Sequence, residues 1–171
     1  MTVQISQTRP ARDRARHLRI TVQIEEARLD LVSAIVVNEP LDPPKATIGL
    51  WVYEWREDGD TVWWDTMADP LAQRGIARPK EREHSFGQRR RGDFTVRVPI
   101  DEGGARRRLE LRVYRSASAL PEDPEAVRRL ISGESPRQLE LVATLADDSF
   151  KRHPEWASVQ AALGMVKRER E

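Results

Sequence analysis

Two aromatic, β-branched runs separated by Asp58-Gly59 constrain this chain more than any other stretch. Gly, Asp and Asn enter the positive-φ conformations of a two-residue hairpin turn most readily, so the flanking runs are expected to pair. With Asp58 and Gly59 at the tip, Glu57 faces Asp60, Trp55 faces Val62, Tyr53 faces Trp64 and Trp51 faces Thr66. Alternation then gathers Trp51, Tyr53, Trp55, Val62 and Trp64 on one face. Val52, Glu54, Arg56, Thr61, Trp63 and Asp65 share the other. Burying one tryptophan removes ~150–250 Å² from water, roughly 4–6 kcal/mol as an upper bound. With only 39% hydrophobic residues, the chain has few other large side chains for a core. The aromatic face is therefore expected inside rather than as a stacking platform for sugars, peptides or bases. Trp63, on the polar face, is the exception and the candidate for partial exposure and binding.

At 171 residues there is room for one domain with an appendage. No apolar run approaches the ~20 residues that span a bilayer. Met1–Arg19 carries five arginines and no apolar stretch, so a secretory signal is not expected. Zero cysteines exclude disulfides, thiolate nucleophiles and cysteine metal sites. A cytoplasmic, bacterial protein without a membrane partner is the expectation.

The net charge of +1 conceals a segregation of signs. Residues 25–69 carry eleven acids against three bases, and residues 74–108 carry eleven bases against five acids. Such blocks either neutralise each other across strands or present a two-sign surface to a partner. Because 25 of the 29 basic residues are arginine, no single arginine cluster is strongly informative.

Residues 1–16 read as a loose basic arm. In 17–117, Leu18, Ile20, Val22 and Ile24 alternate with polar residues as a half-buried strand. Leu29–Val37 is ambiguous with a helix, but its β-branched residues favour a second strand. Phe94, Val96 and Val98 form another, with Pro99 marking an edge or an end, and Leu109, Leu111 and Val113 a partner strand. Thr66–Gly92 is long, charged and broken by Pro and Gly, with a short strand expected near Glu81–Phe86. Residues 118–171 change character. Asp123 as N-cap, Pro124 at the first helical position and Gly133 after the end frame a short helix. Leu139–Leu145 reads as a strand. A last amphipathic helix begins at His153-Pro154, with Trp156, Val159, Leu163 and Val166 on one stripe. The fold class is mostly β: an immunoglobulin-like antiparallel β-sandwich with a short C-terminal helical appendage.

Arg89-Arg90-Arg91 and Arg106-Arg107-Arg108 invite a nucleic-acid reading. The near-zero net charge and the lack of a reader motif favour a solvated or internally paired basic edge. Arg91-Gly92-Asp93 matches an adhesion tripeptide, and a turn leading into a strand explains it better. His17, His84 and His153 lack metal spacing, and His84, beside Glu83, is the only histidine adjacent to a carboxylate. Asp58, Asp60 and Asp65 read equally as calcium-binding loop carboxylates or as solubilising turn acids. No catalytic residue, metal or cofactor is assigned.

The segments Asn38-Glu39-Pro40-Leu41, Glu57-Asp58-Gly59-Asp60 and Phe94-Thr95-Val96-Arg97-Val98-Pro99 occur here in that order. Ser132-Gly133 and Leu139-Glu140-Leu141-Val142 follow them. Together, over residues 18–145, they resemble the β-sandwich domain that precedes the catalytic domain of IgA-peptidase-type zinc metallopeptidases. The zinc-binding helix of those enzymes is missing, so the resemblance implies an accessory sandwich and carries over no catalytic residue. The expected function is a non-catalytic interaction or accessory protein. It would bind another protein through the basic loop Arg74–Arg91 or by strand addition at a sheet edge. A nucleic-acid-associated module and a small-ligand-binding or hydrolytic sandwich, with Glu83, His84 and Asp65 as its polar groups, are the alternatives.

Overall fold

The structure, a computed structural model, describes residues 16–44, 49–74, 86–100 and 108–162. Three strands form one antiparallel sheet, ordered β2 (Arg28–Val37), β1 (His17–Glu25) and β7 (Arg91–Pro99). Four form the other: β4 (Asp60–Met67), β3 (Trp51–Glu57), β8 (Leu109–Ser116) and β9 (Leu139–Ala146). A small hairpin, β5 (Ala72–Arg74) with β6 (Phe86–Gln88), lies in the connection from β4 to β7. The strand expected near Glu81–Phe86 falls mostly outside the described residues. Helices α1 (Pro124–Ile131), α2 (Asp147–Arg152) and α3 (Pro154–Ala162) flank β9 in the chain.

The chain is thus mostly β, with two antiparallel sheets packed as a sandwich. Their inner faces are buried at Leu18, Ile20, Val22, Ile24, Phe94, Val96, Val98, Trp51, Tyr53, Trp55, Leu109, Leu111 and Val113. The tip of the central hairpin has the expected geometry, with φ of 54° at Asp58 and 96° at Gly59. Its register does not. Trp55 faces Trp63, Tyr53 faces Asp65 and Trp51 faces Met67, because the pairing shifts by one residue and leaves Val62 without an opposite number. Such a bulge reverses the facing of every residue beyond it. Trp63 therefore joins the core at 5% exposure, which corrects its expected place on the polar face and as a binding residue. Trp64 is also buried, but on the sheet's outer side.

That outer side is covered by α1. Val52, Trp64 and Tyr114 pack there with Leu120, Val127 and Leu130 in a second apolar cluster. Helix α1 forms where the sequence signals it. The Asp123 carboxylate accepts the Glu125 N–H at 3.1 Å, and Gly133, at φ 75°, closes the end. There the Glu134 and Gly133 N–H groups reach the Arg129 and Leu130 carbonyls, satisfying two orphan acceptors.

Residues 118–162, expected as an appendage, contribute to the main core. β9 extends the four-stranded sheet along β8, and Leu145, Phe150, Trp156 and Val159 are buried with the sandwich residues. Phe150 meets Trp55 edge-on at 5.3 Å between ring centroids and lies 5.1 Å from Trp156. Helix α2, which carries Phe150, has no counterpart in the sequence reading. Leu163 and Val166 of the expected stripe lie outside the described residues.

Candidate functional site

An antiparallel sandwich offers a partner its strand edges, its outer faces and its clefts, and these differ sharply here. The outermost strands are β2, β7, β4 and β9. Three of them carry a one-residue bulge, each leaving a valine unpaired: Val32 on β2, Val62 on β4 and Val142 on β9. Bulges at edges spoil the flat row of donors and acceptors that an added strand needs. Side chains occupy further edge groups. Glu155 of α3 accepts the Ala34 N–H of β2 at 3.1 Å, and Asp65 accepts the Thr66 N–H of β4 at 2.8 Å.

The β7 edge is closed from within and from outside. The Tyr53 hydroxyl donates to the Arg97 carbonyl at 3.0 Å and accepts the Arg97 N–H at 3.2 Å. Burial, reinforced by the Asp65 charge, raises the Tyr53 pKa far above its usual value, so this hydroxyl stays protonated. Further along β7, a Cβ on Gly92 would stand 1.9 Å from the Pro70 carbonyl oxygen. Only glycine permits that approach of the β4–β5 connection.

On the outer face of the four-stranded sheet, α1 covers Val52, Trp64 and Tyr114 and leaves β9 exposed at Leu141 and Thr144, and the carboxylate buried beside Tyr114 is matched. Glu54 is buried with its Oε2 accepting from the Tyr114 hydroxyl at 2.6 Å. Its Oε1 accepts from Thr61 and lies 3.7 Å from Arg56 Nε. Burial, then the bond to Glu54, pushes the Tyr114 pKa up to about 12. Every carboxylate oxygen is engaged, which makes Glu54 a structural group holding the sheet beneath α1.

On the outer face of the three-stranded sheet, Arg19, Glu25, Asp93, Thr95 and Arg97 are exposed and Thr21 and Gln23 half-buried. Besides the row Val37–His17–Pro99, in which His17 and Pro99 are buried, register sets four rows across β2, β1 and β7: Arg28–Glu25–Arg91, Asp30–Gln23–Asp93, Ser33–Thr21–Thr95 and Ile35–Arg19–Arg97. Among the described residues, the segment 39–43 reaches this face, at the Arg19–Arg97 end, and walls a cleft of about 470 Å³. His17, Arg19, Glu39, Asp42, Asp65 and Arg97 are among its lining residues. The His17 Nδ1–H donates to the Glu39 carbonyl at 2.9 Å, tying that segment to β1. A larger cleft of about 600 Å³ lies where the β1–β2 turn meets β9 and the α2–α3 junction. Its polar groups are satisfied locally: Arg28 by Asp30 at 2.9 Å, Arg152 by the Asp148 carbonyl at 3.1 Å, and His153 by the Glu155 N–H at 3.3 Å.

The sequence-nominated residues scatter. Arg89 and Arg90 are exposed on the turn before β7, and Arg91 is exposed in its first position, opposite Glu25. Arg91-Gly92-Asp93 is thus strand, with Asp93 accepting from Gln23 at 2.9 Å. Arg108 is exposed beside the hairpin tip, where its N–H donates to Asp58 Oδ1 at 2.8 Å. His84, Glu83, Arg106 and Arg107 lie outside the described residues. Asp58 and Asp65 cap backbone N–H groups, and among the described residues no three His, Asp or Glu side chains gather as metal ligands. Sequence reasoning missed Arg19, Arg97 and His17 as neighbours, because only the β1–β7 register brings them together. Compared with protein-family models, curated proteins and solved structures, the chain matches none.

Proposed function

We propose that this chain is a non-catalytic interaction or accessory protein whose partner protein docks on the outer face of the three-stranded sheet. The exposed turn Arg89–Arg91 extends the same surface at one end. The observation that carries this reading is the contrast in cover. Bulges and side-chain caps obstruct the strand edges, α1 covers the centre of one outer face, and among the described residues only the segment 39–43 reaches the other, at one end. A face is therefore better supported than strand addition as the mode of contact.

The order β4-β3-β8-β9 matches the C′-C-F-G sheet of immunoglobulin-like sandwiches. In β2-β1-β7 the edge strand follows the central one in sequence, where the immunoglobulin order has it precede. The resemblance to an accessory sandwich ahead of a peptidase domain adds support, since such a domain serves another unit and carries no chemistry of its own.

Site-specific photo-crosslinking in native extract tests the reading. A crosslinker at Thr95, on the open face, is expected to capture one protein, while one at Arg128, on the exposed side of α1, captures none. Adducts from both positions alike, from neither, or to nucleic acid instead of protein would refute it.

A further inference from the structure

The four rows of the open face are not chemically alike. In the first, an acid stands between two bases; in the second, the Gln23 amide donates to Asp93 at 2.9 Å. The third is neutral. In the last, Arg19 and Arg97 stand directly opposite each other on adjacent strands, both exposed. Among the described residues, neither guanidinium has a hydrogen bond or ion pair, although Arg28, Arg112 and Arg115 each find a carboxylate. Like charges opposite one another cost stability, and their Cβ atoms lie only ~4.5–5.5 Å apart. At that spacing two guanidinium forks converge on one group, and a guanidinium matches a carboxylate or phosphate bidentately.

We propose that Arg19 and Arg97 form a binding site for a single oxyanion, the carboxylate or phosphate of one side chain on the partner protein. This rests on the interaction reading above and names the chemistry of the partner. The site is built rather than incidental. Tyr53 holds both backbone groups of Arg97, and His17 anchors the wall of the adjoining cleft through the Glu39 carbonyl. Glu39, Asp42 and Asp65 line the same cleft and shape its selectivity. Their charges repel a polyanion such as nucleic acid and favour a segment whose one anionic residue is flanked by cationic ones.

The test is a titration of the isotope-labelled full chain, read from the backbone amides of Arg19 and Arg97 by NMR. The probes are inorganic phosphate and three versions of the peptide Ac-Lys-Ala-X-Ala-Lys-NH₂, with X as phosphoserine, glutamate or serine. The phosphoserine or glutamate peptide is expected to give saturable shifts at Arg19 and Arg97, and the stronger of the two identifies the oxyanion. The serine peptide gives none. Arg19→Gln and Arg97→Gln each weaken binding by about tenfold or more, as loss of a charge-assisted hydrogen bond requires, while Arg128→Gln, on α1, leaves it unchanged. Absence of saturable shifts with both anionic peptides, or equal weakening by Arg128→Gln, overturns the site. A Thr95 crosslink that survives the Arg19→Gln and Arg97→Gln changes would retain the interaction reading and remove this site alone.

Discussion

Across the outer face of the four-stranded sheet, Val52, Trp64 and Tyr114 point into the underside of α1 and vanish from solvent. Across the outer face of the three-stranded sheet, the central positions are Thr21, Gln23 and Thr95, and Ile35 on its edge strand stands 42% exposed. Along its inner strand β3 the four-stranded sheet is thus buried on both sides and reads as near-continuous apolar sequence, whereas its β9 edge is exposed outward at Leu141 and Thr144 and the other sheet alternates cleanly. The burial pattern of β3 is unbroken from Trp51 to Trp55, whereas β7 alternates from Asp93 to Val98. Cover follows chemistry: a face that is to be closed is made of rings and branched chains. A face that is to stay open is made of hydroxyls and charges, and there an unmatched pair of arginines stands out.

The largest effects should separate the two faces. Leu130→Asp puts an unpaired carboxylate between α1 and the sheet and should cost about 3–5 kcal/mol in urea denaturation. Thr95→Asp, on the open face, should stay within about 0.5 kcal/mol of wild type. Similar losses in both would erase the distinction. The polar group under α1 comes next. Glu54→Ala leaves the buried Tyr114 hydroxyl without its acceptor and should cost about 1–3 kcal/mol by the same measurement.

The same contact gives an alkaline signature. Tyr114 is held above its ordinary value, up to about 12, so its neutral form is the one that folding favours. The stability it contributes is fully present below pH ~10, the unfolded value, and is lost as pH rises through the folded value. Phenolate absorbance should stay silent in the folded protein at pH 10 and appear only well above it, with or after unfolding. Ordinary titration near pH 10 in the folded state would contradict the buried contact. The smallest effect belongs to the open face. Arg19→Thr removes a like-charge pair and should stabilise by about 0.2–1 kcal/mol, less in high salt.

How far the sequence reveals this molecule depends on where local and non-local signals agree. Helix α1 was legible because Asp123, Pro124 and Gly133 each act within a turn of the helix. The tip of the central hairpin was legible because Asp58-Gly59 alone dictates it. The β1–β2 hairpin was ambiguous, since its turn residues Glu26 and Ala27 adopt positive φ, of 47° and 66°, without a glycine or asparagine to announce it. Trp63 and Trp64 were exchanged because Val62 bulges. Nothing in a Thr-Val-Trp-Trp run says which residue will lie outside the ladder. Val32 on β2 and Val142 on β9 set the same trap, turning Ile35 and Leu141 outward to 42% and 50% exposure. Phe150 was invisible as core because its neighbours Asp147, Asp148 and Lys151 are charged and its partners Trp55 and Trp156 are distant or on another element. Of the candidate site, Arg89–Arg91 and Arg108 were legible only as charge. Arg19 and Arg97 become a site through strand pairing alone, a relation between residues far apart in the chain.

We place the docking surface on the outer face of the three-stranded sheet. Affinity capture from the native extract tests it most directly with three baits: wild type, the double variant Thr21→Trp with Thr95→Trp, and Glu125→Arg on the exposed side of α1. The account predicts that wild type and Glu125→Arg recover the same partner protein and that the folded double variant loses it. Undiminished recovery by the double variant would contradict the account.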